Sequence, residues 1–181
     1  GAGGRGGSLP PRAGLRRGWL RRLPSRGRLL VAWIVALPRR CGWRIGIGVG
    51  TVDEPLPTST RAARGDAYLA ARTAISAARR SPVELSLTPG DSVRAGGYGD
   101  YVEDAETALW LLRGTLARRS AEGWELMDLL DQGLTNVQAA ERLGISPSAV
   151  SQRLGRAART ESERASLLAT RLLDRLLGVS P

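Results

Sequence analysis

The sequence has no lysine, no histidine and no phenylalanine among its 181 residues. Each absence excludes something. Without histidine there is no imidazole general base, no Ser-His or Cys-His nucleophile pair, and none of the commonest metal ligand. Cys41 is the single cysteine, which excludes an internal disulfide and a zinc site of the Cys₄ or Cys₂His₂ kind. This fits a cytoplasmic chain. The apolar run at residues 29–37 has nine residues, too few to span a bilayer. An Arg-rich stretch before it, with Arg16 and Arg17, imitates an export signal. No small-residue cleavage site follows; the chain continues Pro38-Arg39-Arg40-Cys41.

What is present is arginine. All 27 basic residues are Arg, against 17 Asp and Glu, for a net charge of +10. That figure suggests a nucleic acid or an anionic surface as partner. The charge is not spread evenly. Residues 1–50 hold 11 Arg and no acid, while the other 131 residues carry a net of −1. The basicity belongs to one segment.

Residues 1–41 are expected to be basic low-complexity chain, disordered or mistranslated, because Gly, Arg, Pro and Ser without periodicity cannot bury a core. Residues 43–52 (WRIGIGVGTV) alternate apolar residues with Arg44 and three glycines, which predicts a strand. A glycine face calls for something in close approach: a helix, another strand or a ligand, with a packed helix the leading expectation. Residues 66–80 predict a helix capped by Asp66 and stopped at Ser81-Pro82. Residues 83–87 (VELSL) alternate as a second strand. Residues 89–100 contain four glycines and predict a linker. The remainder predicts helices at 101–119, 121–132 and 161–177, with two shorter ones between. The last carries Leu168, Leu172 and Leu176 beside Leu173 and Leu177, at i,i+4 spacing. Those columns either cover the bundle or form a homodimer seam.

The clearest chemistry lies at residues 135–155. Thr135 predicts an N-cap, and Gln138 three residues later completes a capping box. Gly144 falls where a helix ends in the left-handed conformation. Ser146 caps the next helix and Pro147 takes its first position. Ala140, Gly144 and Val150 stand at the spacing of a helix-turn-helix, in which the second helix enters the major groove. The base-facing candidates are Ser146, Ser148, Ser151 and Gln152, since Gln pairs with adenine and Ser with either base. Arg153, Arg156 and Arg159 recur along the same helix and its extension, as phosphate contacts. Against them, residues 120–160 hold five acids and four Arg, so one copy would bind weakly.

The run AAERLGISPSAVSQRL resembles the helix-turn-helix segments of MarR-type, LuxR-type and sigma region 4 proteins. Residues 43–79 resemble the SatD family, on Arg44–Gly50 and the Gly65–Arg72 helix start. The same segment is distantly similar to class III nucleotide cyclase domains. That likeness implies a ferredoxin-like α+β layer. SatD-like proteins also carry an acidic upstream strand that residues 1–41 lack. The spacing Gly46-x-Gly48-x-Gly50 lies within a strand and is not a dinucleotide fingerprint.

The expected architecture is therefore α+β. A small, partial ferredoxin-like β-α-β module at 42–88 precedes the linker at 89–100 and an all-α helix-turn-helix module at 101–181. The expected function is DNA binding in transcription regulation, by a cytoplasmic protein with double-stranded DNA as partner, no membrane, no cofactor, no metal and no catalysis. The alternatives are a degenerate nucleotide-processing domain and a protein-interaction module that uses the helix-turn-helix for packing.

Overall fold

The computed structural model describes residues 25–36, 43–59 and 61–178. The order of elements is α1 (Arg26–Ala36), β1 (Ile45–Val49), α2 (Asp66–Ala78), β2 (Leu85–Pro89), α3 (Asp91–Ala95), α4 (Gly99–Ala117), α5 (Ala121–Asp131), α6 (Asn136–Leu143), α7 (Pro147–Arg156) and α8 (Arg159–Gly178). This is an α+β chain, mostly helical, with a β-α-β unit near its start.

β1 and β2 pair in parallel, with Ile45 opposite Leu85 and Val49 opposite Pro89. A parallel pair needs a crossover, and α2 supplies it. The glycine face of β1 is explained by that helix. A Cβ on Gly46 would collide with the backbone of Ala74 and Ile75, and one on Gly48 with the backbone of Ala67 and Ala71. The small residues Ala70, Ala74 and Ala78 form the buried side of α2. Backbone therefore lies on backbone, and the close approach is made by a helix.

The other face of the sheet meets α4. Leu85, Leu87 and Val49 join Val102, Ala105, Leu109, Leu112 and Leu116 in one core, with Val31 and Ile34 of α1 and Ala169, Leu173 and Leu176 of α8. α4 also closes the free edge of β2. Trp110 donates its indole N–H to the carbonyl of Leu85 at 3.0 Å, and Glu106 accepts the N–H of Leu87 at 2.9 Å. Residues 106 and 110 share one helical face, so two side chains satisfy strand groups left open by the two-stranded pairing.

Several expectations change in detail. Within 1–41, residues 26–36 form α1, which is packed through Val31 and Ile34; residues 1–24 and 37–41 lie outside the described residues. The linker expected at 89–100 contains α3 and the start of α4. The main core spans it, uniting the sheet with α4 and α8. Asp66 is not the cap of α2. Gly65 holds that position, and Asp66 is the first helical residue. Its carboxylate accepts the N–H and hydroxyl of Thr51 and the N–H of Ser92, tying three elements together. The leucine columns of α8 turn inward. Leu173 and Leu176 are buried in the chain's own core, Leu172 and Leu177 are half-buried, and Leu168 alone of the five is exposed. Among the described residues no helix is long and apolar enough to cross a membrane.

Candidate nucleic-acid interface

A second, separate core holds α5, α6 and α7 together. It consists of Leu126, Leu130, Ala139, Ala140 and Val150, with Leu143, Ile145 and Leu154 packed against it. This three-helix unit is inserted between α4 and α8, which both belong to the first core.

The turn chemistry is the one the spacing predicts. The Thr135 hydroxyl accepts the N–H of Gln138 at 3.2 Å, and the Gln138 side chain accepts the N–H of Thr135 at 2.9 Å. Gly144 ends α6 at φ 66°, in the left-handed region where a Cβ is costly. Ile145 then donates its N–H to the carbonyl of Ala140. The Ser146 hydroxyl accepts the N–H of Ala149 at 3.2 Å, with Pro147 opening α7. Val150 is fully buried and Ala140 nearly so, which lets α6 and α7 cross closely at the turn.

α7 presents a stripe to solvent. Ser148, Ser151, Gln152, Gly155 and Arg156 are all exposed, at helical spacings of three and four. Of the seven residues singled out from sequence, Ser148, Ser151, Gln152 and Arg156 share this stripe. Ser151 meanwhile donates to the carbonyl of Pro147, a local bond that a base can replace. Ser146 is engaged as the cap and hydrogen-bonds to Ser148 at 2.9 Å. Arg153 is half-buried on the flank that faces α5. Glu122 lies near enough for Arg153 to help hold its carboxyl below the usual range, after the larger effect of the Ser120 hydrogen bond.

Arg159 departs from the expectation. α7 does not extend to it. Ala158 adopts φ 49°, which breaks the helix, and Arg159 begins α8. Its guanidinium is paired with Glu163 at 2.8 Å. The abundance of acids also reads differently in three dimensions. Glu122, Glu125, Asp128 and Asp131 lie on α5 and Glu141 on α6, while α7 carries two Arg and no acid.

One residue of this unit escapes a reading by sequence pattern. Arg119, in the turn between α4 and α5, is buried and donates to the carbonyl of Ala157 at 2.8 Å and to the Ser162 hydroxyl at 2.9 Å. Nothing in its spacing marks it. Gly123 is the one local hint, since a Cβ there would lie 3.0 Å from the Arg119 Cγ.

Among the described residues, no group of Asp, Glu or Cys side chains is placed to hold a metal ion. The model of a winged helix-turn-helix DNA-binding family matches residues 125–159, which run from within α5 to the first residue of α8. No curated protein and no solved structure matches the chain. The chain thus carries a DNA-binding helix-turn-helix. Both described strands precede it, and α8 follows α7 directly, in the place where a wing would begin.

Proposed function

We propose that the chain is a transcriptional regulator that binds double-stranded DNA sequence-selectively and has no catalytic activity of its own. The observation that carries this is the exposed, acid-free stripe of α7, held at a fixed angle by the Gly144 turn. On this reading Gln152 and Ser148 read base edges in the major groove, with Ser151 beside them. Arg156 and the flanking Arg153 meet phosphates on this reading. Arg159, paired with Glu163, contributes less.

Two positive side chains give a shallow electrostatic term, since affinity follows the number of phosphates neutralised. Two copies on neighbouring half-sites would supply the rest, with half-sites about one helical turn apart. Such a protein works in the cytoplasm, where the DNA of a bacterial cell lies. The SatD-like β-α-β unit then acts as a scaffold; α2 fills the glycine face that a ligand would otherwise need.

The test is selection of bound sequences from a random DNA pool by the full chain, followed by titration at several salt concentrations. Enrichment of a defined motif supports the reading. Binding with no enrichment at low salt overturns it.

A further inference from the structure

The three-helix unit that holds α7 is joined to the rest of the molecule at two crossings, the turn between α4 and α5 and the break between α7 and α8. Arg119 spans both. Its Nε donates to the carbonyl of Ala157, the residue that ends α7, at 2.8 Å. Its Nη2 donates to the hydroxyl of Ser162, one turn into α8, at 2.9 Å. Ser162 in turn donates to the carbonyl of Arg159 at 2.9 Å. The guanidinium lies over the Trp124 ring of α5, 4.5 Å from its centroid. One planar fork therefore grips the end of α7, the start of α8 and the first turns of α5. Both Arg119 and Ser162 are more than nine-tenths buried. The space for it is built: Gly123 leaves room for the Arg119 stem and for the Ala157 methyl, which would lie 3.0 and 3.3 Å from a Cβ.

Positive charge at the last carbonyls of a helix is favourable, and a buried guanidinium bridging two acceptors holds them in one geometry. Besides this fork, α7 is held by Val150 near its middle and by Leu154 and the buried Ala157 toward its end. Its C-terminal turn carries Arg153 and Arg156. We infer that Arg119 is a positioning residue for DNA recognition: it fixes the direction of α7 and the bend into α8, and so sets specificity without touching DNA. This rests on the DNA-binding reading above, but its structural part can be tested without DNA.

The experiment uses the full chain with Arg119→Met, which keeps the stem and removes the fork, and Arg119→Lys, which keeps the charge. Amide hydrogen exchange without DNA reads the structural part. Both variants should show about tenfold or greater acceleration at residues 153–157, with Leu126 and Leu130 still protected. On the sequence selected by the wild-type chain, both should lose about tenfold in affinity while the salt slope stays unchanged. Wild-type exchange at 153–157 in Arg119→Met overturns the inference. So does a salt slope reduced by about one, which would make Arg119 a phosphate contact. Full affinity in Arg119→Lys also overturns it, because a single ammonium does not reproduce the fork. Should Arg119→Met not fold, Ser162→Ala removes one acceptor from the same bridge. It should accelerate exchange at 157–162 and weaken specific binding about threefold; wild-type behaviour on both readouts overturns the inference. If the wild-type chain selects no sequence, the DNA-binding reading fails, while the exchange results still decide the role of Arg119 in holding α7.

Discussion

The carboxylate of Asp66 accepts the backbone N–H of Ser92 at 2.8 Å, across 26 positions of sequence. Its other oxygen holds Thr51, two residues past the end of β1. Partial burial pushes this carboxyl up, but the hydrogen bonds from Ser92 and Thr51 outweigh it and bring it from 3.8 to about 2. A group lowered on folding adds stability that is complete above its unfolded value and is lost as pH falls toward its folded one. Denaturant unfolding should therefore show stability declining between about pH 4 and pH 2. Asp66→Asn should flatten that part of the profile and cost about 1–3 kcal/mol at neutral pH. An unchanged profile in the variant would remove Asp66 from this role.

The contact between β1 and α2 leaves no room for a side chain. Gly48→Ala would force a methyl into the backbone of Ala67 and Ala71 and should cost about 3 kcal/mol. Gly114→Ala, in the last turn of α4, meets only a Val83 methyl at 3.9 Å and should stabilise by about 0.5 kcal/mol. Thermal melts of the pair give the comparison directly.

Leu126 belongs to the helix-turn-helix core and Leu112 to the main one, and both are fully buried. Each Leu→Ala change should cost about 2–5 kcal/mol. The exchange patterns should differ. Leu126→Ala should expose amides of α5, α6 and α7 first, and Leu112→Ala those of β2, α4 and α8. Gly144→Ala, strained at its positive φ, should resemble Leu126→Ala at about 1–2 kcal/mol.

Arg153 and Arg159 look equivalent in sequence but not in space. Arg153→Ala should weaken binding to all DNA sequences and reduce the salt slope by about one. Arg159→Ala should change it by less, because Glu163 already holds that guanidinium. Gln152→Ala should leave the slope alone and relax base preference at one position. Fluorescence titration over a salt series separates the three.

The helix-turn-helix was legible because its signals are local. A cap, a capping partner three residues on, a turn glycine and a second cap each depend on neighbours within one turn of chain. The β-α-β unit was legible for a related reason: Gly46 and Gly48 alternate with Ile45 and Ile47. What could not be read were relations that only the tertiary structure creates. Residues 29–37 show no polar face, so nothing in their pattern distinguishes a packed helix from other apolar chain. The break at Ala158 has no glycine to announce it, and it is what takes Arg159 off the recognition helix. The partners of Arg119 lie 38 and 43 positions away. The inward turn of Leu173 and Leu176 follows from packing on α4 and on α1, which lies far earlier in the chain.

That last packing relation bears on the order in which the molecule assembles. The N–H of Gly27 donates to the Asp174 carboxylate across 147 positions, and α1 rests on α8. During synthesis, α5, α6 and α7 have every partner of their own core before α8 has emerged, whereas α1 must wait for it. Local contacts form early and distant ones late. The DNA reader can therefore acquire its structure on a nascent chain whose main core is still open along the side that α8 will cover.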